Sequence, residues 1–305
     1  MTENENGISV ITCSIKPELC SQMLESVRST IGVNFETIVF DNRENNFGIC
    51  KVYNDCAKKA KYPYLCFIHE DVIMPTPNWG MNMIEFAEKT PDCGVIGFAG
   101  CTMINRNFLG WGYVKNGRCR YYDPDNLNME QNISDLYFRY NNPKKVEFDK
   151  VVALDGLFLF VSKVVWAENP FNEEEMKGFH FYDSEFSFKI AQKWQNYVCL
   201  IADIYHFSNG RPDKEYYNCA RLFQNKWKQV LPYTVANKMN LSVFINELNC
   251  AGLLLTQSIK YGFSLFGSIR HLIKINNIFF FIILCLFLPV FKGIEIKSKL
   301  KKILL

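Results

Sequence analysis

Several short clusters in this chain combine residue types that hold a cation or move a proton. FIHEDV, residues 67–72, ends an apolar run on His69, Glu70 and Asp71. Acids straight after Phe-Ile are unfavourable inside a strand but fit a strand mouth where a metal or phosphate sits. Carboxylate oxygens suit hard cations, and Mn2+ also accepts imidazole. A helix N-cap or a solvated turn is the competing role for Asp71. DIYHFS (203–208) ends a second apolar run on His206, where the plainer reading is a core histidine. HFYDSEF (180–186) sets Asp183 in an aromatic surrounding just ahead of a predicted helix. Partial desolvation there raises a carboxylate toward the range of a general base; capping the helix is the alternative. Glu185, two residues on, serves instead as base or as an acceptor contact, and His180 as a packing or acceptor-side residue. Asp155-Gly156 follows another apolar run, where glycine permits either close backbone approach to a ligand or a tight turn.

These residues need a scaffold that brings strand ends together. ISVITC (8–13) is a short β-branched run, suited to a buried parallel strand. Residues 17–31 follow with Pro17 near the start and Leu19, Met23, Leu24, Val27 and Ile31 at helical spacing. FETIVFDN (35–42) predicts a second strand ending at Asp41, 48–61 a second helix, and YLCFIHEDV (64–72) a third strand. A helix over 80–89 and a strand over 93–100 continue the alternation. VVALDGLFLFVSKVVW (151–166) holds two apolar runs around Asp155-Gly156. Residues 178–194 predict a loop entering a helix, and YVCLIADIYHFS (197–208) a last strand. Strand and helix alternating in this way imply right-handed βαβ units and a doubly wound parallel sheet. Ligands bind such sheets at the carboxyl ends of the strands, so one crevice can hold both Asp41 and the His69–Asp71 triplet.

Residues 101–148 break the pattern. They read as an irregular insertion or a long loop with short strands. Trp111, Tyr113, Arg118, Arg120, Tyr121 and Tyr122 there suit stacking on sugars or pairing with phosphates, and surface packing equally well. From about 212 the pattern turns helical. IFFFIILCLFLPVF (278–291) is an uninterrupted apolar run. As a helix it spans roughly 21 Å, short of the bilayer core of about 30 Å. Arg270, His271 and Lys274 flank it on one side. On the other, five lysines against Glu295 give residues 292–305 a charge of +4, which leaves −1 for the rest of a chain whose net charge is +3. A near-neutral body argues against a nucleic-acid binder; the basic end points to an anionic membrane surface. The 12 cysteines are scattered without zinc spacing, which suits reduced thiols in the cytoplasm, and the N-terminus has no signal-peptide pattern.

Taken in order, ISVITCS, IVFDN, YNDCAKKAKYPYLCFIHEDV, LDGLFLF, FNEE, GFHFYDSEFSFKI and YHFS resemble the GT-A glycosyltransferases, in particular the family 2-like group, over residues 8–208. The resemblance implies a mixed, mainly parallel sheet with helices on both faces. It implies hexosyl transfer from a nucleotide-diphosphate sugar to an acceptor hydroxyl with inversion. Ser14 and Asp41 fall where the family holds base and ribose, and Asn54 on a helix position that faces the nucleotide. FIHEDV stands at the D-x-D motif: Asp71 matches its last acid, Glu70 its middle, and His69 replaces the first Asp. Asp155 and Gly156 match the loop near donor sugar and acceptor. Asp183 matches the base, with Tyr182 in place of the usual preceding Glu. His206 matches a late metal ligand, so the implied metal set is Asp71 with His206, binding Mn2+ or Mg2+.

The expected organisation is a transferase domain over 1–235 and a helical region over 236–305 that associates with a membrane from the cytoplasmic side. A glycan or lipid-linked acceptor follows by analogy, as in surface polysaccharide or glycolipid synthesis. Two other readings remain at this stage: a sugar-phosphate nucleotidyltransferase, whose Gly-rich signature with Arg and Lys is missing after the first strand, and a non-catalytic carbohydrate or membrane scaffold.

Overall fold

The computed structural model describes residues 6–111, 117–119, 146–207, 212–235 and 241–276, with Phe280, Ile282 and Cys285 beyond them. Contacts divide the chain into two compact units. One takes the residues up to Met103 and from 116 to 211; the other takes 104 to 115 and everything from 212. Helix 214–227 packs its apolar face within the second unit.

In the first unit, β1 (Gly7–Ser14), α1 (Pro17–Thr30), β2 (Asn34–Asp41), α2 (Ile49–Lys59) and β3 (Tyr64–Ile68) follow the expected alternation. After them come β4 (Val72–Ile73), α3 (Trp79–Lys89), β5 (Cys93–Gly97), β6 (Ala99–Cys101), β7 (Met103–Ile104, which straddles the division), β8 (Gly117–Cys119), β9 (Phe148–Val151), β10 (Ala153–Leu154) and β11 (Phe158–Ser162). α4 (Lys163–Glu168), α5 (Tyr182–Ile190), β12 (Gln195–Cys199) and β13 (Tyr205–His206) complete it. The sheet is seven-stranded, in the order β2-β1-β3-β11-β5-β12-β9. β2, β1 and β3 run parallel, as do β5 and β12. β11 runs antiparallel to both β3 and β5, and β9 antiparallel to β12. The sheet is therefore mixed rather than wholly parallel. An apolar run such as FLFVS carries no sign of its direction, so the sequence pattern alone misses this.

Burial follows strand order. Central β1 is buried almost throughout, whereas edge strand β2 alternates between half-buried and exposed positions. α1 begins with Pro17 in its first turn, where proline costs no hydrogen bond, and buries Cys20, Met23 and Val27 on one face. Phe67, Phe158, Phe160 and Phe186 are wholly buried, each contributing about 1.5–3 kcal/mol relative to exposure.

Two predicted strands stop short. YLCFIHEDV leaves the sheet after Ile68, where His69 donates its amide to the Leu157 carbonyl at 3.0 Å and Glu70 and Asp71 turn away. YVCLIADIYHFS breaks after Cys199. Asp203 donates its amide to the Thr76 hydroxyl at 2.9 Å, and the chain resumes as β13, antiparallel to β4 with His206 opposite Val72.

The second unit contains α6 (Lys214–Trp227), β14 (Tyr233–Thr234), α7 (Leu241–Lys260) and α8 (Leu265–Ile275). Asp213 caps α6 and Ser264 caps α8. Phe108 packs on Phe223 of α6 with ring centroids 5.4 Å apart. Arg106 pairs with the buried Glu247 of α7 at 2.9 Å. Gly262 turns the chain between α7 and α8 at φ 85°, a left-handed conformation that glycine adopts without strain. No helix of the described residues is long and apolar enough to cross a membrane. The apolar run 278–291, apart from its three described positions, and the basic segment 292–305 lie outside the described residues, as does most of the insertion.

Candidate active site

The parallel register gathers the sequence-singled residues at one end of the first unit's sheet. β1 pairs β2 with Ser14 opposite Asp41. β1 also pairs β3 with Ile11 opposite Phe67, which brings Ser14 level with the turn after β3. Ser14, buried to 4% exposure, donates its hydroxyl to Glu70 at 2.7 Å. Glu70 also accepts the amides of Ile15 and Lys16, at 3.1 and 2.8 Å. Its carboxylate thus fixes the loop between β1 and α1. His69 and Asp71, on either side of Glu70 in the turn between β3 and β4, take other partners.

There His69 and Asp71 meet His206. His69 Nδ1 lies 3.8 Å and His206 Nε2 3.6 Å from Asp71 Oδ1. One ligand atom from each of the three lies within 4.8 Å of the others. His206 reaches this position on the short β4–β13 ladder, and Phe207 donates its amide to the Asp71 carbonyl at 2.9 Å. Burial pushes the His69 imidazole below its ordinary value, with His206 acting in the same direction and Asp71 against it. The ring is therefore neutral near pH 7, the form that offers a lone pair. Two imidazoles and a carboxylate make a fitting donor set for a divalent cation of intermediate hardness, Mn2+ more than Mg2+. The expected pair Asp71 and His206 thus becomes a candidate trio, which His69, the departure from D-x-D, joins.

Asp183 lies beyond His69. α5 starts at Tyr182 rather than after Asp183, with Phe181 as its left-handed N-cap, so Asp183 sits inside the first turn and is not the cap. Its Oδ2 accepts the Gly156 amide at 2.9 Å and its Oδ1 the Ser184 amide at 2.7 Å. Burial, then the nearby Asp155, raises its pKa from 3.8 to about 7, against the lowering effect of those amides. Asp155 folds back to accept the Leu157 amide at 2.9 Å, which makes 155–157 a tight turn.

Sequence reasoning did not single out Tyr182 as a partner. Its hydroxyl lies 2.7 Å from His69 Nε2 and 3.2 Å from the Gly156 carbonyl oxygen. Burial pushes that hydroxyl well above its ordinary pKa, so it keeps its proton. A Cβ on Gly156 would overlap the Tyr182 hydroxyl; the glycine admits a side chain of its own chain. The two residues at which the sequence departs from the pattern it resembles, His69 and Tyr182, are thus hydrogen-bonded to each other. An isolated Tyr beside a candidate base was the only available signal.

Other expected positions fall differently. Asp41 is exposed on the edge strand and forms an ion pair with Arg43 at 2.5 Å, which lowers its pKa to about 2. Asn54 faces the interior. Its amide bonds the Phe171 backbone in both senses at 2.9 Å, clamping α2 to the loop after α4 rather than facing a nucleotide. Glu185 is wholly buried. Two helical residues differ by about 200° around the axis, so with Asp183 at the mouth Glu185 points inward and is not an acceptor contact here. His180 is half-buried in the turn before α5, outside the metal trio.

Residues 9–224 match the profile of the glycosyltransferase-like family. The chain belongs to that family. A comparison with curated proteins finds no match. Among solved structures, the chain is similar to GalNAc-T7 with UDP, GalNAc and Mn2+, at a TM-score of 0.53 and 12% identity, over 90% of this chain and 56% of that one. The chain thus spans little more than half of GalNAc-T7. It also matches S. aureus TarS 1–349 at a TM-score of 0.47 and 13% identity, over 82% of this chain and 80% of that one. The mixed sheet with its packed helices is an α/β fold like that of GalNAc-T7.

Proposed function

We propose that the protein is a glycosyltransferase that transfers a sugar from a nucleoside-diphosphate donor, of the UDP-sugar kind, to an acceptor hydroxyl with inversion of the anomeric configuration. One observation carries the reading: a carboxyl group with its pKa raised to about 7 by burial, Asp183, stands one hydrogen-bonded residue pair away from a trio that fits a divalent cation. The GalNAc-T7 structure holds UDP, GalNAc and Mn2+, and a like donor suits a mouth that joins this trio to the Ser14–Glu70 loop.

Asp183 accepts the proton of the acceptor hydroxyl, and the Gly156 and Ser184 amides orient its two oxygens. The acceptor oxygen attacks the anomeric carbon from the side opposite the diphosphate, so the bond to the leaving group breaks as the new one forms. Glu70 keeps the β1–α1 loop in place beside the nucleotide. His69, Asp71 and His206 would hold the cation, which when bound offsets negative charge gathering on the departing diphosphate. Incubation with a panel of UDP- and GDP-sugars, with Mn2+ and after EDTA, tests the donor and the metal together. NMR of the product should show inverted configuration; a retained one overturns the mechanism.

The acceptor is proposed to be a glycan or lipid-linked sugar in surface polysaccharide or glycolipid synthesis, made at the cytoplasmic side of a membrane. Residues 248–294 contain no Asp or Glu but include Lys260, Arg270 and Lys274. Leu265 and Phe266 at the start of α8 are 53% and 76% exposed. An apolar tip within a basic, acid-free stretch suits an anionic bilayer surface. Flotation with vesicles containing an anionic phospholipid should recover the wild type and lose the Leu265→Ser/Phe266→Ser variant. Equal recovery of both sinks this part.

A further inference from the structure

The contacts of Tyr182 fix more than its own place. A phenol has one proton to donate. The Gly156 carbonyl oxygen only accepts, and it lies 3.2 Å from the Tyr182 oxygen; two oxygens at that distance repel unless a proton stands between them. The Tyr182 proton therefore belongs to that carbonyl. The hydroxyl oxygen must then accept from His69 Nε2, 2.7 Å away. Neutral imidazole carries one proton, so a ring protonated at Nε2 has its lone pair on Nδ1. Nδ1 is the atom that faces Asp71, 3.8 Å from Oδ1.

We propose that Tyr182 is a positioning residue: held by the Gly156 carbonyl, it selects the His69 tautomer that presents the Nδ1 lone pair to a cation shared with Asp71 and His206. The inference deepens the metal reading of this same site and rests on it. The arrangement has three further supports. A metal-bound histidine characteristically donates its other ring N–H to a fixed acceptor, which sets ring orientation and ligand basicity. Tyr182 is itself immobilised, with 4% exposure and its ring against Tyr53 and Phe171 at centroid separations of 6.0 and 6.2 Å. Gly156 supplies both ends of the device, its carbonyl to Tyr182 and its amide to Asp183. One peptide unit thus holds the positioner of the metal side and orients the proton acceptor.

The test reads the metal-free protein first. Nitrogen-15 NMR of histidine-labelled wild type, with His69 assigned by loss of its signals in His69→Gln, should show the Nε2–H tautomer. Tyr182→Phe keeps the packed ring and should leave a mixture of tautomers. Calorimetric titration with MnCl2 alone should then show affinity lower by about 10- to 100-fold in Tyr182→Phe, the range for removal of an outer partner of a metal-bound histidine. Gly156→Ala keeps the phenol but displaces its oxygen, and should weaken Mn2+ in the same direction. An Nδ1–H tautomer in the wild type, a wild type that binds no Mn2+, or a Tyr182→Phe protein with unchanged tautomer and affinity overturns the proposal. If the NMR and titration behave as expected but no donor yields product, the transfer reading fails and the role of Tyr182 stands.

Discussion

Two aspartates that the sequence singles out are held in opposite states. Asp41 ends an edge strand in solvent, where Arg43 stabilises its charge and lowers its pKa to about 2. Asp183 lies inside the first turn of α5, where burial and Asp155 favour the proton and raise its pKa to about 7. The register of β1 and β2 sets Asp41 opposite Ser14, whereas Asp183 is placed by α5 and the Gly156 amide. On the proposed reading the two carboxylates divide the work between them. An exposed, permanently charged carboxylate recognises groups without changing state, whereas an enclosed one exchanges a proton near neutral pH. The metal trio belongs to the enclosed side, tied to Asp183 through Tyr182 and Gly156.

Substitution tests that division most directly. Asp183→Asn should lower kcat by about 10²- to 10⁴-fold, the range for a positioned general base, while Asp41→Asn should leave kcat nearly unchanged and act on donor KM alone. Equal losses in kcat would erase the distinction. Next in size, His206→Ala should weaken Mn2+ by more than about 100-fold, beyond the loss expected of an outer-shell partner; Arg43→Ala should leave Mn2+ affinity as it is. Titration calorimetry reads both. A smaller effect comes from pH. With Asp183 near 7, kcat/KM should fall about tenfold per unit below neutrality, and Asp41, ionised throughout that range, adds no inflection. A profile flat from pH 5 to 8 would remove Asp183 as the base.

The smallest expected effect is on stability, and the two residues differ in sign. The folded pKa of Asp183 lies above its ordinary 3.8, so its proton favours the fold. That contribution is complete below about 3.8 and is lost as pH rises through about 7. Asp41 is shifted down, so its contribution exists above the ordinary value and is lost as pH falls through about 2. Exposure keeps the Asp41 contribution small. Thermal melts of Asp183→Asn should therefore gain on the wild type between pH 4 and pH 8, whereas Asp41→Asn should track it. A gap for Asp183→Asn that stays constant with pH would mean burial does not hold the proton.

The parallel half of the sheet was legible because strand and helix alternate and each strand ends on a polar group: Ser14, Asp41, His69. Direction was not legible in β11, since apolar residues pack equally well either way along a sheet. The position of Asp183 was readable, but not its place within the helix, because Phe181 takes a left-handed cap conformation that a bulky aromatic seldom adopts. Asn54 is assigned toward the nucleotide by the resemblance alone; in the structure its amide bonds a backbone segment 117 residues away. The joining of His69 to Tyr182 likewise spans 113 residues, beyond any local pattern. The family assignment survived these misses because it rested on the order of the pieces.

The ladder that carries His206 has a kinetic consequence. His69 and Asp71 follow directly on β3, which is bonded on both sides inside the seven-stranded sheet, whereas His206 sits on a two-residue strand paired to β4. Local opening of so short a ladder costs far less than opening a central strand. The amides of His206 and Phe207 should exchange with deuterium well before those of Cys66 and Ile68. On the proposed reading, a trio anchored so unevenly would release one ligand while keeping two, and so trade an ion quickly without holding it weakly.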